Sequence, residues 1–240
     1  MSGFVDVHSH VVPSGDDGAR TIEEGLELCR LAFESGTATL FATPHAHAPW
    51  DSFPRTASRD ALFAGSLEEM RGEVAGWGLD LRRGWEVYPS EVPAGGAAEL
   101  VLDGTLAVLV EFPGSWLEID DAVELVAAAA ARVDAAGLVP VLAHPERCLA
   151  VVADPWCVRP LVEHGALLCL NAPSLVGRHG PAAERTAWAL VDAGLVALAA
   201  SDGHSVSRPP ILESAFEEAR RRLGDDRARR LFDGRALPWV

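Results

Sequence analysis

Histidines and carboxylates in this chain stand at the ends of short apolar runs. His8-Ser9-His10 closes the first such run. Residues two apart on a strand face the same way, so both imidazoles can address one ion. An HxH pair alone is a weak signal. Asp17, in Gly15-Asp16-Asp17-Gly18, adds a carboxylate that could fold back on it, although Asp and Gly also dominate plain surface turns. Later runs end on His45, Glu86, Glu111, His144 and the pair Asp202 and His204. A carboxylate that closes an apolar strand is costly to bury without a partner, so Glu86 and Glu111 ask for a cation. Five of the eight histidines and four carboxylates, nine donors in all, fall at expected strand ends or in the loops beside them.

Nine donors exceed what one ion uses, since zinc takes about four ligands and manganese or iron about six. Two or three ions are expected. Imidazole and carboxylate without thiolate point to Mn, Fe or Zn. Clustered ions suit displacement at phosphorus, because they acidify a bridging water and neutralise charge on the attacking and leaving oxygens. Arg147 lies three residues after His144, and Arg208 four after His204. Guanidinium forks match phosphate oxygens, and beside cations they need an anion between; the alternative for each is a surface salt bridge.

The elements that must position these groups alternate. Apolar runs at 4–7, 39–43, 79–85, 106–110, 139–143, 167–170 and 195–200 read as strands. Helical patterns occupy 22–35, 58–75, 120–136, 154–164, 181–193 and 211–223. Thr21-x-x-Glu24 fits a capping box, and Gly36, Gly137, Gly165 and Gly194 stand where left-handed helix ends are expected. Connections this long imply parallel strands. An open doubly wound sheet uses a few strand ends at one switch point, whereas a barrel gathers all of them at one mouth. His8, His45, Glu86, Glu111, His144, Asn171 and Asp202 follow successive strands, which favours a β/α barrel forming one domain over 1–240.

Composition excludes several chemistries. The net charge of −15 argues against a nucleic-acid surface but not against a phosphorylated substrate, since bound cations reverse the local sign. All 20 basic residues are Arg, so neither a Schiff-base lysine nor a carboxylated-lysine metal bridge is available. The cysteines, Cys29, Cys148, Cys157 and Cys169, form no CxxC pair and are expected to be free thiols. A phosphocysteine mechanism needs an Arg six residues after its Cys; those positions hold Ser35, Asp154, Glu163 and Leu175. The first residues carry no signal-peptide pattern, and no apolar stretch approaches a bilayer span. A cytoplasmic protein without membrane insertion is expected.

These stretches together resemble the polymerase and histidinol phosphatase (PHP) superfamily, and more closely the bacterial protein-tyrosine phosphatases of capsule and exopolysaccharide synthesis. The resemblance is carried by Asp6-Val7-His8-Ser9-His10, Asp16-Asp17-Gly18, Ala42-Thr43-Pro44-His45, Gly84-Trp85-Glu86 and Leu109-Val110-Glu111-Phe112-Pro113. It continues through Ala143-His144-Pro145-Glu146-Arg147, the run from Ser174 to Gly180, Ala200-Ser201-Asp202-Gly203-His204 and Ser207-Arg208-Pro209-Pro210. It implies a distorted seven-stranded TIM-like barrel with a trinuclear site, usually manganese. The implied ligands are His8, His10, Asp17, His45, Glu86, Glu111, His144, Asp202 and His204. Arg147 and Arg208 are implied to contact phosphate. His47 is read as a contact to metal or substrate or as a solvated loop residue, His179 as a supporting or pocket residue, and His164 as a helix end.

The expected activity is hydrolysis of phosphotyrosine on protein, a bacterial tyrosine kinase tail being one candidate substrate. Cation-bridged hydroxide would attack phosphorus, and His45, His204 or a coordinated water would protonate the leaving oxygen. Trp50, Trp85, Tyr88 and Trp116 follow strands and could stack on the substrate ring or simply pack. The rivals are a small-molecule phosphatase such as one for histidinol phosphate, a phosphodiesterase, a metal-dependent amidohydrolase and a non-catalytic metal-binding regulatory module. The acidic composition disfavours the phosphodiesterase, the missing lysine the amidohydrolase, and the complete ligand set the regulatory module.

Overall fold

The computed structural model describes residues 3–47, 52–94, 97–114 and 119–240. Strands and helices alternate along the chain: β1 (Phe4–Ser9), α1 (Ile22–Glu34), β2 (Thr37–Ala42), β3 (His45–Ala46), α2 (Ala57–Ala75), β4 (Asp80–Arg83), β5 (Glu86–Val87) and β6 (Ala107–Glu111). Then follow α3 (Ile119–Ala135), β7 (Val139–Ala143), α4 (Leu149–Ala153), α5 (Arg159–Glu163), β8 (Leu167–Asn171), α6 (Gly180–Asp192), β9 (Val196–Ala200), α7 (Glu213–Leu223) and α8 (Asp225–Phe232). The strands form two parallel sheets, ordered β1-β2-β4 and β3-β5-β6-β7-β8-β9.

The expected strand over 79–85 is broken into β4 and β5, and the strand expected over 39–43, seen as β2, is followed by a further short strand, β3. Pro44 has no N–H to give a ladder, and β2 stops at Ala42 before the chain resumes as β3. Gly84 interrupts the next strand between β4 and β5, where a Cβ would lie 2.5 Å from Leu102 Cδ2. Backbone bonds span both breaks: Thr43 N–H to Ser9 O, Gly84 N–H to Ala42 O and Glu86 N–H to Pro44 O. The expected helix over 154–164 is a short 3₁₀ turn, Pro155–Val158, followed by α5. The short α4 and α8 were not anticipated; α8 is amphipathic over only eight residues.

Both faces of β6–β9 are covered, which explains their continuous apolar runs. Leu109, Val141, Ala143, Cys169, Leu198 and Ala200 join one buried cluster with Val7 and Phe41. The alternating Val108, Val110, Leu142, Leu168, Leu170 and Ala199 join a larger cluster with the helices. The left-handed helix ends fall where expected, with φ of +96° at Gly36, +73° at Gly137, +95° at Gly165 and +71° at Gly194. The cap on α1 is half of the expected box. Thr21 Oγ1 accepts the Glu24 N–H, but the Glu24 carboxylate takes the N–H of Arg20.

The first and last strands meet beyond their hydrogen-bonded sheets. Asp202 N–H donates to His8 O at 2.9 Å and His10 N–H to Gly203 O at 2.8 Å. No described helix is long and apolar enough to cross a membrane. At the junction a Cβ on Gly203 would sit 2.6 Å from Pro210 N. Gly203→Ala is therefore expected to destabilise the fold by about 1–3 kcal/mol, lowering Tm by roughly 2–4 °C for each kcal/mol. An unchanged thermal melt would show that Pro210 yields freely.

Candidate metal centre

All nine expected donors converge at the C-terminal ends of the strands. Glu86 stands at their centre, with a fully buried side chain. His45 Nδ1 is 2.9 Å from Glu86 Oε2, His8 Nε2 3.1 Å and His10 Nε2 3.3 Å, while His144 Nε2 lies 2.8 Å from Oε1. Burial alone would push this carboxyl up, but the surrounding imidazoles hold it well below the usual carboxylate range. Contacts with carboxylates outweigh burial to make three of them more basic than ordinary imidazoles: Asp16 and then Glu86 for His10, and chiefly Glu86 for His45 and His144. Imidazole must lose its proton to ligate, so protons and cations compete for these positions.

Four groups of donors have ligand atoms mutually within 4.8 Å: His10, Asp17, His45 and His204; His8, His10 and Asp202; His8, Glu86 and His144; His45, His47 and Glu111. The donor chemistry fits divalent cations well. His8 Nε2 and His10 Nε2 face one another at 3.2 Å, and Glu86 Oε2, Glu111 Oε2 and His144 Nδ1 are buried without a hydrogen bond of good geometry. Nitrogen and oxygen lone pairs crowding one space are costly to desolvate unless a cation joins them.

Backbone geometry aims two of these side chains. His144, after β7, has φ of +40° and Asp202, after β9, +51°; they are the two described non-glycine residues with positive φ. That conformation is strained for a side chain and clusters at functional sites. Asp202 is held from both sides. Its Oδ2 accepts Arg147 Nη1–H at 2.8 Å, Asn171 Nδ2–H at 2.8 Å and Arg208 Nη2–H at 3.1 Å. Its Oδ1 faces His8, His204 and His10 at 3.5, 3.4 and 3.6 Å. Burial opposes ionisation of Asp202, but the imidazoles keep its carboxyl far below the ordinary range. His204 Nδ1–H donates to the Asp202 carbonyl at 2.8 Å, which fixes Nε2 as the nitrogen 3.3 Å from Asp17 Oδ1.

A cavity of about 260 Å³ opens over the cluster, lined in part by Asp17, His45, Glu111, Arg147 and Arg208. The two arginines therefore reach the expected place, although each also binds Asp202.

Two residues extend the set read from sequence. His47 Nε2 lies 2.9 Å from Glu111 Oε2 and 3.0 Å from His45 Nδ1. The signal was present: His45-Ala46-His47 repeats the HxH spacing of β1. Asp16 rather than Asp17 grips His10, its Oδ2 being 2.8 Å from Nδ1 while Oδ1 accepts the Gly18 N–H. Nothing in the sequence separates the two adjacent aspartates; the turn geometry does. Gly18 permits it, since a Cβ there would meet His10 O at 2.2 Å.

Other expectations need correction or fall elsewhere. Of the two readings left open for Trp85, packing holds: it is 1% exposed and lies against Phe63. Tyr88 is buried with its ring 5.5 Å from His47. Trp50 and Trp116 lie outside the described residues. His164 ends α5 with Nδ1 at 2.7 Å from Pro160 O. The cysteines are unpaired, and burial pushes the Cys29 thiol up to about 12, which suits inert core thiols.

The family model described as capsular polysaccharide synthesis, CpsB/CapC, matches residues 4–236. The tyrosine-protein phosphatase YwqE of Bacillus subtilis (strain 168) is 30% identical over 206 residues, covering 85% of this chain and 78% of that protein. The tyrosine-protein phosphatase CpsB of Streptococcus agalactiae serotype V is 27% identical over 249 aligned positions, covering 95% of each. Among solved structures, one from the pair YwqE of Bacillus subtilis and CpsB of Streptococcus pneumoniae, described as metal-dependent tyrosine phosphatases, superposes with a TM-score of 0.79 at 26% identity. It covers 93% of this chain and 89% of that one. A likeness of fold alone links the chain to an organophosphorus hydrolase variant from Deinococcus radiodurans, with a TM-score of 0.58 at 16% identity over 100% of this chain and 93% of that one.

A carboxylate bound to the far nitrogen of a ligating histidine orients the ring and raises its basicity. Asp16→Asn should weaken divalent-cation binding by about 10- to 100-fold in titration calorimetry. Unchanged affinity would reduce the contact to a structural one.

Proposed function

Since the chain belongs to the CpsB/CapC family of capsular polysaccharide synthesis, we propose that it is a metal-dependent phosphatase acting on phosphotyrosine in proteins. The observation that carries this reading is the convergence of four donor groups beneath two arginines in one cavity. The named relatives are tyrosine phosphatases, and the structural match is to metal-dependent ones.

His8, His10, Asp17, His45, Glu86, Glu111, His144, Asp202 and His204 would hold two or three cations, with His47 joining Glu111 and His45. Manganese suits this thiolate-free set, with iron or zinc as substitutes. When bound, the cations supply Lewis-acid stabilisation of the phosphoryl oxygens and acidify a water for attack on phosphorus. Arg147 and Arg208 supply guanidinium N–H groups to the phosphoryl oxygens, oriented by Asp202 Oδ2. Of His45 and His204, both near Asp17 at the mouth, the one not engaged by a cation would protonate the leaving oxygen, or a coordinated water would do so in its place. A phenol, with a pKa near 10, leaves with little such help.

The fold of this reading is one domain over 1–240, a distorted (β/α)7 barrel closed between β9 and β1. The bonds from Asp202 N–H to His8 O and from His10 N–H to Gly203 O support closure. Unpaired thiols support work in the reducing cytoplasm. A tyrosine kinase tail is a fitting substrate.

Hydrolysis of p-nitrophenyl phosphate and of a phosphotyrosine peptide by chelator-stripped protein, before and after Mn²⁺, tests the reading. Turnover is expected to require the metal and to fall by at least 10²-fold in His144→Ala, a loss typical of removing essential electrostatic support. Cys148→Ser should leave it intact. Faster turnover of histidinol phosphate than of peptide would move the assignment to a small-molecule phosphatase, and no turnover with Mn²⁺, Fe²⁺ or Zn²⁺ would refute it.

A further inference from the structure

A second cavity, of about 460 Å³, adjoins the metal centre and shares Arg147, Asp202 and Arg208 with it. Its character differs. Pro173, Pro209 and Ile211 give it apolar walls, and Ser207 and Ser214 bring hydroxyls. Three guanidiniums, those of Arg147, Arg178 and Arg208, line it against one carboxylate, Asp202, in a chain of net charge −15. Arg147 and Arg208 are bound to Asp202. Arg178 is exposed and makes no side-chain hydrogen bond or ion pair among the described residues.

His179, the next residue, adds an acceptor. Glu146 Oε1 accepts the Asn171 N–H at 3.0 Å and the Ser174 hydroxyl at 2.7 Å. With its proton given to Glu146, Ser174 Oγ can only accept from His179 Nδ1–H, 2.9 Å away. The tautomer is thereby set, and Nε2 is left as an acceptor on a ring that lines the cavity. Burial and the nearby Arg147 lower the His179 pKa to about 4, so the ring keeps that lone pair at neutral pH.

We propose that this cavity seats the polypeptide flanking a phosphotyrosine, with Arg178 selecting substrates that carry Asp or Glu within a residue or two of it. The proposal rests on the phosphotyrosine reading above. The matching is chemical: the Arg178 fork takes a carboxylate, His179 Nε2 takes a backbone N–H, and the prolines and Ile211 cover side-chain stems. A free phosphate or a small aryl phosphate has no N–H to offer. The distance is within reach, because the two cavities share a wall and a peptide advances about 3.3–3.6 Å per residue.

The test uses Mn²⁺-loaded full-length protein and two peptides with one phosphotyrosine, flanked by Asp and Glu in one and by Ala in the other. Their non-hydrolysable phosphonate versions report binding by fluorescence anisotropy, alongside steady-state kinetics. The acidic peptide should bind about three- to tenfold tighter, as for a partly exposed charge-assisted contact, with the difference in KM rather than kcat. Arg178→Ala should abolish the preference and Arg178→Glu reverse it, while p-nitrophenyl phosphate turnover stays unchanged in both. Equal binding of the two peptides, or a preference that survives Arg178→Ala, would overturn the proposal. An Arg178-dependent binding preference in a protein that turns over neither substrate would uphold the subsite and remove the phosphatase assignment.

Discussion

Glu86 carries an ionised carboxylate into a place with no exposure to water, and the architecture around it answers that charge. Burying an unpaired carboxylate costs several kcal/mol even after relaxation. Four imidazoles, from three different strand ends, stand within 3.3 Å of its oxygens. Each imidazole is itself costly to hold there without a proton or a cation, so carboxylate and histidines are stable only as a set. The interruption at Gly84 and Trp85 is what delivers Glu86 to the middle of that set. It ends β4 and lets the chain join the other sheet as β5, between β3 and β6.

The same economy of charge governs the rim. Asp202 faces histidines through one oxygen and two guanidiniums and an amide through the other. It is thereby fixed in a strained, left-handed backbone that a free chain would abandon. Strain of this kind costs on the order of 1–3 kcal/mol per residue and persists only where the surroundings enforce it. Here the enforcement comes from Arg147 and Arg208, the groups that also offer donors to a phosphoryl oxygen. Binding of the substrate anion and support of the cation ligand are thus coupled through one carboxylate.

Much of this was legible in the sequence, for identifiable reasons. Parallel strands buried on both faces leave long apolar runs, so β7 fell where the pattern placed it and the others within a few residues. Polar groups at strand ends are conspicuous against such runs, and the nine donors converge as their positions implied. Three things were hidden. The break at Gly84 lies inside a run that reads as one strand, and the two-residue β3 beyond Pro44 leaves no apolar run of its own. The choice between Asp16 and Asp17 depends on how the turn packs Gly18 against His10, which spacing cannot encode. Residue types left stacking and packing both open for Trp85, and alternation along an extended chain sends it to the helix side, against Phe63.

The most direct test is anomalous diffraction at the manganese edge from crystals grown with Mn²⁺. The account predicts two or three peaks bounded by His8, His10, Asp17, His45, Glu86, Glu111, His144, Asp202 and His204, one of them contacting His47 and Glu111. A single peak, or peaks away from Glu86, would contradict the claim that this buried charge exists to hold a cluster of cations.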